Sequence, residues 1–175
     1  ELDGPEIPIC DGSALKFTEA LFKIELVELD QPRKYCYITE PISYIEGDKH
    51  AYVLPYHGLR VGVSIDFSHP AIGQQSWDME ITEQSFLREI APARTFGFLK
   101  DAETLKAAGL AKGGGMENCI ILDEHKVMNP EGLRFKDEFV RHKILDALGD
   151  LVTLEMPLMG HVLLHKAGHD IMNKL

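Results

Sequence analysis

The sequence predicts an α+β fold, a two-layer sandwich with a mostly antiparallel sheet backed by two helices. Three observations lead there. Leu59 to Phe67 alternates strictly, with apolar residues at the odd positions, as a strand with one buried face requires. Phe135 to Leu148 carries the strongest helical pattern in the chain. The remaining segments then follow as strands, helix, strands, helix and strand, rather than as a regular strand–helix alternation.

Taken in order, residues 1–13 are rich in turn formers: Gly4-Pro5, Pro8 and Asp11-Gly12-Ser13. Ser13 is placed to cap the stretch Ala14 to Leu29, where Leu15, Ala20, Leu21, Ile24 and Leu26 recur at spacings that suit a one-sided helix at least as far as Ile24. Asp30-Gln31-Pro32-Arg33 breaks that pattern and reads as a linker. From Tyr35 the texture is β-rich: Tyr35 to Ile38, Ile42 to Ile45, a turn at Glu46-Gly47-Asp48, and Ala51 to Leu54. After the alternating strand, Thr82 caps a helix with Phe86, Leu87 and Ile90 on its apolar side. Arg94 to Phe98 reads as extended, and Ala102 to Ala108 as a short charged helix ending at Gly109. Gly113-Gly114-Gly115 leads into a strand at Cys119 to Leu122, turned back by Asp123 to Lys126 through Val127-Met128. The long helix is expected to stop at Gly149. Val162 to Leu164 gives the last strand, and a final helix starts at His169.

Composition narrows the function. Hydrophobic residues make up 45% of the 175 residues and charged residues 26%, as in an ordinary globular chain. A net charge of -10 argues against broad binding of nucleic acid or anionic membranes, which needs a basic face. Cys10, Cys36 and Cys119 are far apart and odd in number, so they suggest neither a disulfide framework nor a thiolate metal site. No apolar run approaches the roughly 20 residues that span a bilayer. The first residues carry no secretory pattern, and the chain opens without Met, as the middle of a longer protein would. Reduced thiols and a cytoplasmic location are the expectation.

Two clusters carry chemistry. On a helix that advances about 100° per residue, His142 and Asp146 sit one turn apart on one face. Asp150 follows a turn later, at or just past the expected helix end. An imidazole and a carboxylate suit Zn²⁺, although an i,i+4 ion pair on the surface is the commoner reading of that spacing. In His165-Lys166-Ala167-Gly168-His169, His169 beside a flexible glycine suits a general acid, with Asp150 as the carboxylate that orients it. His161 and His165 read as surface residues, and His50, His57 and His125 as solvated turn histidines. The glycine triplet lacks the GxxxxGK[ST] pattern of a phosphate cradle, GxSxG is absent, and Cys119 reads as a buried inert thiol.

Several segments together resemble the UDP-3-O-acyl-N-acetylglucosamine deacetylases, zinc-dependent enzymes of bacterial lipid A synthesis. They are residues 5–13 (PEIPICDGS), 65–70 (IDFSHP), 93–98 (ARTFGF), 129–135 (NPEGLRF), 138–150 (EFVRHKILDALGD) and 166–169 (KAGH), in the family's order along essentially the whole chain. The resemblance implies two similar sandwich domains facing each other across the active site. Residues 1–31 would be the C-terminal tail of the first, and residues 34–175 nearly all of the second. His142 and Asp146 would be zinc ligands. His169 would be the general acid or electrostatic stabiliser, with Asp150 its partner, and Thr95 would help to hold the oxyanion. Lys143 and Lys166 would meet the polar or diphosphate part of the substrate, and Asp66 and Phe67 the uridine. The stretch from Phe96 to Gly115, with Phe96 and Phe98, would border a passage for the acyl chain.

The resemblance further implies that the third zinc-binding histidine and the general-base glutamate lie upstream of Glu1. Neither Glu6 nor His50 belongs to that motif. The expected partners are therefore the UDP-linked acylated glucosamine and an N-terminal half of the same enzyme, and this chain alone is expected to be inactive or nearly so. A different class of function stays open beside it: a non-catalytic domain that binds UDP or a partner through the uncovered domain interface.

Overall fold

The computed structural model describes Gly4, residues 7–101 and residues 113–175. The helix expected over Ala102 to Ala108 falls outside these residues. Among them, the strands are β1 (Cys36–Tyr37), β2 (Ile42–Glu46), β3 (Lys49–Leu54), β4 (Leu59–Asp66), β5 (Gln74–Glu80), β6 (Phe96–Phe98), β7 (Ile120–Leu122) and β8 (Leu158–His165). The main sheet runs β2-β3-β8-β4-β5, with β1 beside β8. The β2–β3, β3–β8 and β4–β5 pairs are antiparallel, while β4 and β1 each lie parallel to β8. β6 and β7 form a separate parallel pair with Phe96 opposite Ile120. The fold is thus α+β, and its sheet is open rather than closed into a barrel.

Strand alternation decides which face is buried. Val61, Val63 and Ile65 of β4 turn inward together with Val162 and Leu164 of β8 and Ala51 and Val53 of β3. They meet Phe139, Val140, Ile144 and Ala147 of the long helix α3 (Glu138–Val152). Burying side chains of this size contributes about 1.5–3 kcal/mol each. This layer fixes α3 over the sheet and so orients everything that its exposed face carries.

Three helices differ from the sequence expectation. α1 covers Leu15–Leu21 only, and Ser13 Oγ accepts the Leu15 N–H without capping the helix. Ile24, Leu26, Val27 and Leu29 are exposed, so no apolar stripe is buried that would extend the helix, and a helix this short holds only through packing. The Thr82 cap is present as a reciprocal box with Ser85, at 2.8 and 3.1 Å. The helix α2 (Glu83–Ser85) widens directly into a π-turn over Phe86–Ile90. The Glu89 carbonyl there is taken by Arg141 Nη1 at 3.0 Å.

The third difference bears on the site. α3 runs through Gly149 and ends at Val152, because Leu148 before the glycine and Leu151 after it both pack on the core. That packing exceeds the cost of about 1 kcal/mol for a helical glycine. Asp150 therefore lies inside the helix, not past its end. The final helix α4 spans His169–Met172. No helix among the described residues is long and apolar enough to cross a membrane.

Candidate active site

His142 is buried between α3 and the loop that precedes β6. Its Nδ1 lies 3.0 Å from the Ala93 carbonyl. A carbonyl only accepts, so Nδ1 carries the proton and Nε2 presents a lone pair. Burial depresses the ring's pKa below its usual value, against the pull of Asp146, and favours the neutral imidazole. Nε2 then faces Asp146 Oδ1 at 3.3 Å, two acceptors turned toward one another. A cation placed between them relieves that opposition. The other Asp146 oxygen accepts from Lys143 Nζ at 2.8 Å.

One nitrogen and one carboxylate oxygen suit zinc, so this pair fits the ion chemically, as two ligands of the three that a catalytic site takes from protein. Among the described residues no group of three His, Cys, Asp or Glu side chains is close enough to hold a metal.

One turn beyond Asp146, Asp150 accepts from His169, whose Nδ1 lies 2.8 Å from both carboxylate oxygens. His169 opens α4 and its ring is largely exposed, while Asp150 is mostly covered. Lys143, Asp146, Asp150, Ala167 and His169 line one narrow crevice. The continuous α3 thus brings His142, Asp146 and Asp150 onto one face, and the loop after β8 delivers His169 to its end.

The remaining sequence candidates lie around this helix. Phe96 stacks edge-on against Phe139 at 5.0 Å and against Phe67 at 5.8 Å. Phe98 lies 6.1 Å from Phe67, and Lys143 Nζ is 5.5 Å from the Phe96 ring centre. Phe67, Phe96 and Phe98 therefore form one aromatic group beside His142. Phe67 and Phe98 continue into a groove of about 660 Å³ with His69, Leu99, Lys100 and Asp123. Thr95 immediately precedes β6, its N–H donating to the Gly12 carbonyl at 2.8 Å and its own carbonyl accepting from Ile120. Lys166 bridges Asp66 and Asp48 at 3.1 Å each, and these partners raise its pKa.

His161 and His165 alternate outward on β8, on the sheet face away from α3, bonded to Asp78 and Ser64. The Cys119 thiol is half-buried and its pKa is pushed up by burial, as an inert cysteine's would be.

Sequence reasoning missed the polar centre that fixes the loop over His142. Glu138, fully buried, accepts from Arg94 N at 3.0 Å, Arg94 Nε at 2.9 Å and Arg134 N at 2.6 Å. Arg94 also reaches Glu131 at 2.8 Å and the Gly132 carbonyl at 2.7 Å. Glu138 sits between Asp137 and Phe139 at a helix start, where a solvated glutamate is the ordinary case. No sequence signal marks it, because Arg94 and Glu138 lie 44 residues apart.

Comparison with known proteins matches the chain to a family. The family model described as LpxC, UDP-3-O-acyl N-acetylglycosamine deacetylase, matches residues 1–175. A UDP-3-O-acyl-N-acetylglucosamine deacetylase of Bdellovibrio bacteriovorus is 71% identical over all of this chain and 58% of its own length. Proteins of the same name from Myxococcus xanthus and Shewanella pealeana are each 48% identical over the whole chain, which covers 56% and 58% of them. The chain thus spans a little over half the length of these relatives, and it belongs to the UDP-3-O-acyl-N-acetylglucosamine deacetylase family.

Proposed function

We propose that the protein containing this chain hydrolyses the acetamide of UDP-3-O-acyl-N-acetylglucosamine, releasing acetate and the free amine in lipid A biosynthesis, in the cytoplasm and with bound zinc. The observation that carries this reading is the single α3 face that presents His142, Asp146 and the Asp150–His169 pair. His142 and Asp146 would hold the metal, with a third histidine supplied by the sequence upstream. Zinc, when bound, polarises the amide carbonyl and lowers the pKa of a water. The upstream half also supplies the glutamate that takes the water's proton.

The residues of this chain do the rest. Thr95 donates to the developing oxyanion from a strand start that is held on both sides. His169, oriented by Asp150, delivers a proton to the departing nitrogen. Lys143 and Lys166 exchange their present carboxylate partners for the diphosphate portion, Asp66 and Phe67 meet the uridine, and Phe96 and Phe98 border the acyl chain. Residues 1–31 are the tail of the first domain and 34–175 the second. The exposed Leu26, Val27 and Leu29 support that division, because each would be covered by a preceding domain.

The alternative is a non-catalytic domain that binds UDP or its missing half. Metal content and deacetylase turnover of the chain, with and without the upstream half, separate the two. Metal and activity that appear only on reconstitution support the half-site. Turnover by the chain alone refutes it, and UDP binding without turnover on reconstitution favours the alternative. In the reconstituted enzyme, His169→Ala should lower kcat by about 10²–10⁴.

A further inference from the structure

The Ala93–Arg94 peptide is held at both ends by side chains one turn apart on α3. Its N–H donates to Glu138 Oε1 at 3.0 Å, and its carbonyl accepts from His142 Nδ1 at 3.0 Å. The N–H and C=O of a trans peptide point in opposite directions, and helix positions i and i+4 share a face. The peptide unit therefore lies along the helix and spans Glu138 and His142 like a clasp.

The orientation of this one peptide decides the state of the imidazole. Left to itself, His142 would place its proton on Nε2, where Asp146 Oδ1 waits 3.3 Å away as an acceptor. The Ala93 carbonyl overrides that choice by demanding a proton on Nδ1. A flipped peptide would turn the carbonyl toward the Glu138 carboxylate and the Arg94 N–H toward the ring, and the preferred tautomer would reverse. Glu138 forbids the flip. Its carboxylate is fully buried, so it has no water to replace the peptide N–H, and it is fixed in turn by Arg94 Nε at 2.9 Å, Arg94 Nη2 at 3.2 Å and Arg134 N at 2.6 Å.

We propose that Glu138 is a positioning residue: by fixing the Ala93–Arg94 peptide it selects the Nδ1–H tautomer of His142 and leaves Nε2 bare for a cation. The cation rests on the proposed function above, whereas the tautomer does not.

The test is ¹⁵N NMR of the histidine rings in the intact, metal-free protein. Wild type should show His142 with Nδ1 protonated and Nε2 bare; a protonated Nε2 overturns the proposal. Removing Glu138 alone would strand the Arg94 charge, so two paired variants are compared. Arg94→Met/Glu138→Met removes both charges and the acceptor, and a mixture of His142 tautomers is expected. Arg94→Met/Glu138→Gln removes the charges but keeps an acceptor for the peptide N–H, and the wild-type tautomer should return.

Zn²⁺ affinity, read by competition with a chelating dye, should fall about ten- to a hundredfold in the first variant and recover in the second. A wild-type tautomer in the Met/Met variant refutes the role of Glu138. If Zn²⁺ leaves the Nε2 signal of wild type unmoved, the ligand assignment of His142 fails instead, while the tautomer contrast still stands or falls by itself.

Discussion

Replacing Gly12 by alanine should destabilise the protein by about 2–4 kcal/mol, for reasons that can be separated. Gly12 has φ +80°, and a side chain there costs about 1–2 kcal/mol through its contact with its own backbone. An added Cβ would also collide with the Asn118 carbonyl oxygen. That oxygen cannot retreat easily, because Asn118 is buried and its side chain is bonded to Gly115 N at 3.0 Å and Gly113 O at 2.8 Å. The segment at Gly12 must move instead, and the Thr95 N–H to Gly12 bond of 2.8 Å is lost, a further cost of about 0.5–1.5 kcal/mol. Gly47 supplies the control: its φ is +63°, but a Cβ there meets nothing within 4 Å, so Gly47→Ala should cost only the conformational part. Urea unfolding of both variants measures the difference. Equal losses would show that the close approach of Gly12 to Asn118 is not rigid, and a Gly12→Ala loss under about 0.5 kcal/mol would refute the reasoning altogether.

Phe139→Ala, at a fully buried site, should cost about 3–5 kcal/mol in the same assay and free the Phe96 ring that packs on it. Arg141 lies with its guanidinium 3.4 Å from the Trp77 ring centre and 4.1 Å from that of Phe135. Arg141→Met should therefore cost about 1–3 kcal/mol and shift the emission of Trp77, the sole tryptophan; unchanged emission would contradict the stacking. Because the folded state resists protonation of His142, its contribution to stability is complete above pH 6.5 and is lost as pH falls from there through the depressed folded pKa. The metal-free protein should lose stability over that window more steeply than His142→Gln does, and parallel pH curves would count against it.

Where the buried face could be read from periodicity alone, the sequence sufficed: the odd positions of β4 and the inner face of α3 meet as their patterns require. The Thr82 cap was legible because capping is local. Helix ends were not. Gly149 reads as a stop until the packing of Leu148 and Leu151 is known, and the spacing from Leu15 to Leu26 reads as a helix until its apolar side is found to face nothing. At the site, the i,i+4 pair His142–Asp146 was visible from spacing, and Asp150 as a carboxylate beside His169 from residue chemistry together with the family resemblance. The Arg94–Glu138 centre was not, because its partners are 44 residues apart and neither announces the other.

The order of the sheet carries a consequence for how the chain is made. β8, the last strand, is inserted between β3 and β4, and Ser64 meets His165 across 101 residues of chain. A ribosome therefore delivers the β2–β3 and β4–β5 hairpins long before the strand that joins them. Until residues 158–165 emerge, each hairpin exposes an edge with unpaired N–H and C=O groups. Such long-range closure is slow, and open edges invite pairing with other chains during the delay. Chains released before Leu158 should then accumulate as aggregates rather than as smaller folded units, and a chaperone that shields strand edges should matter most in that interval.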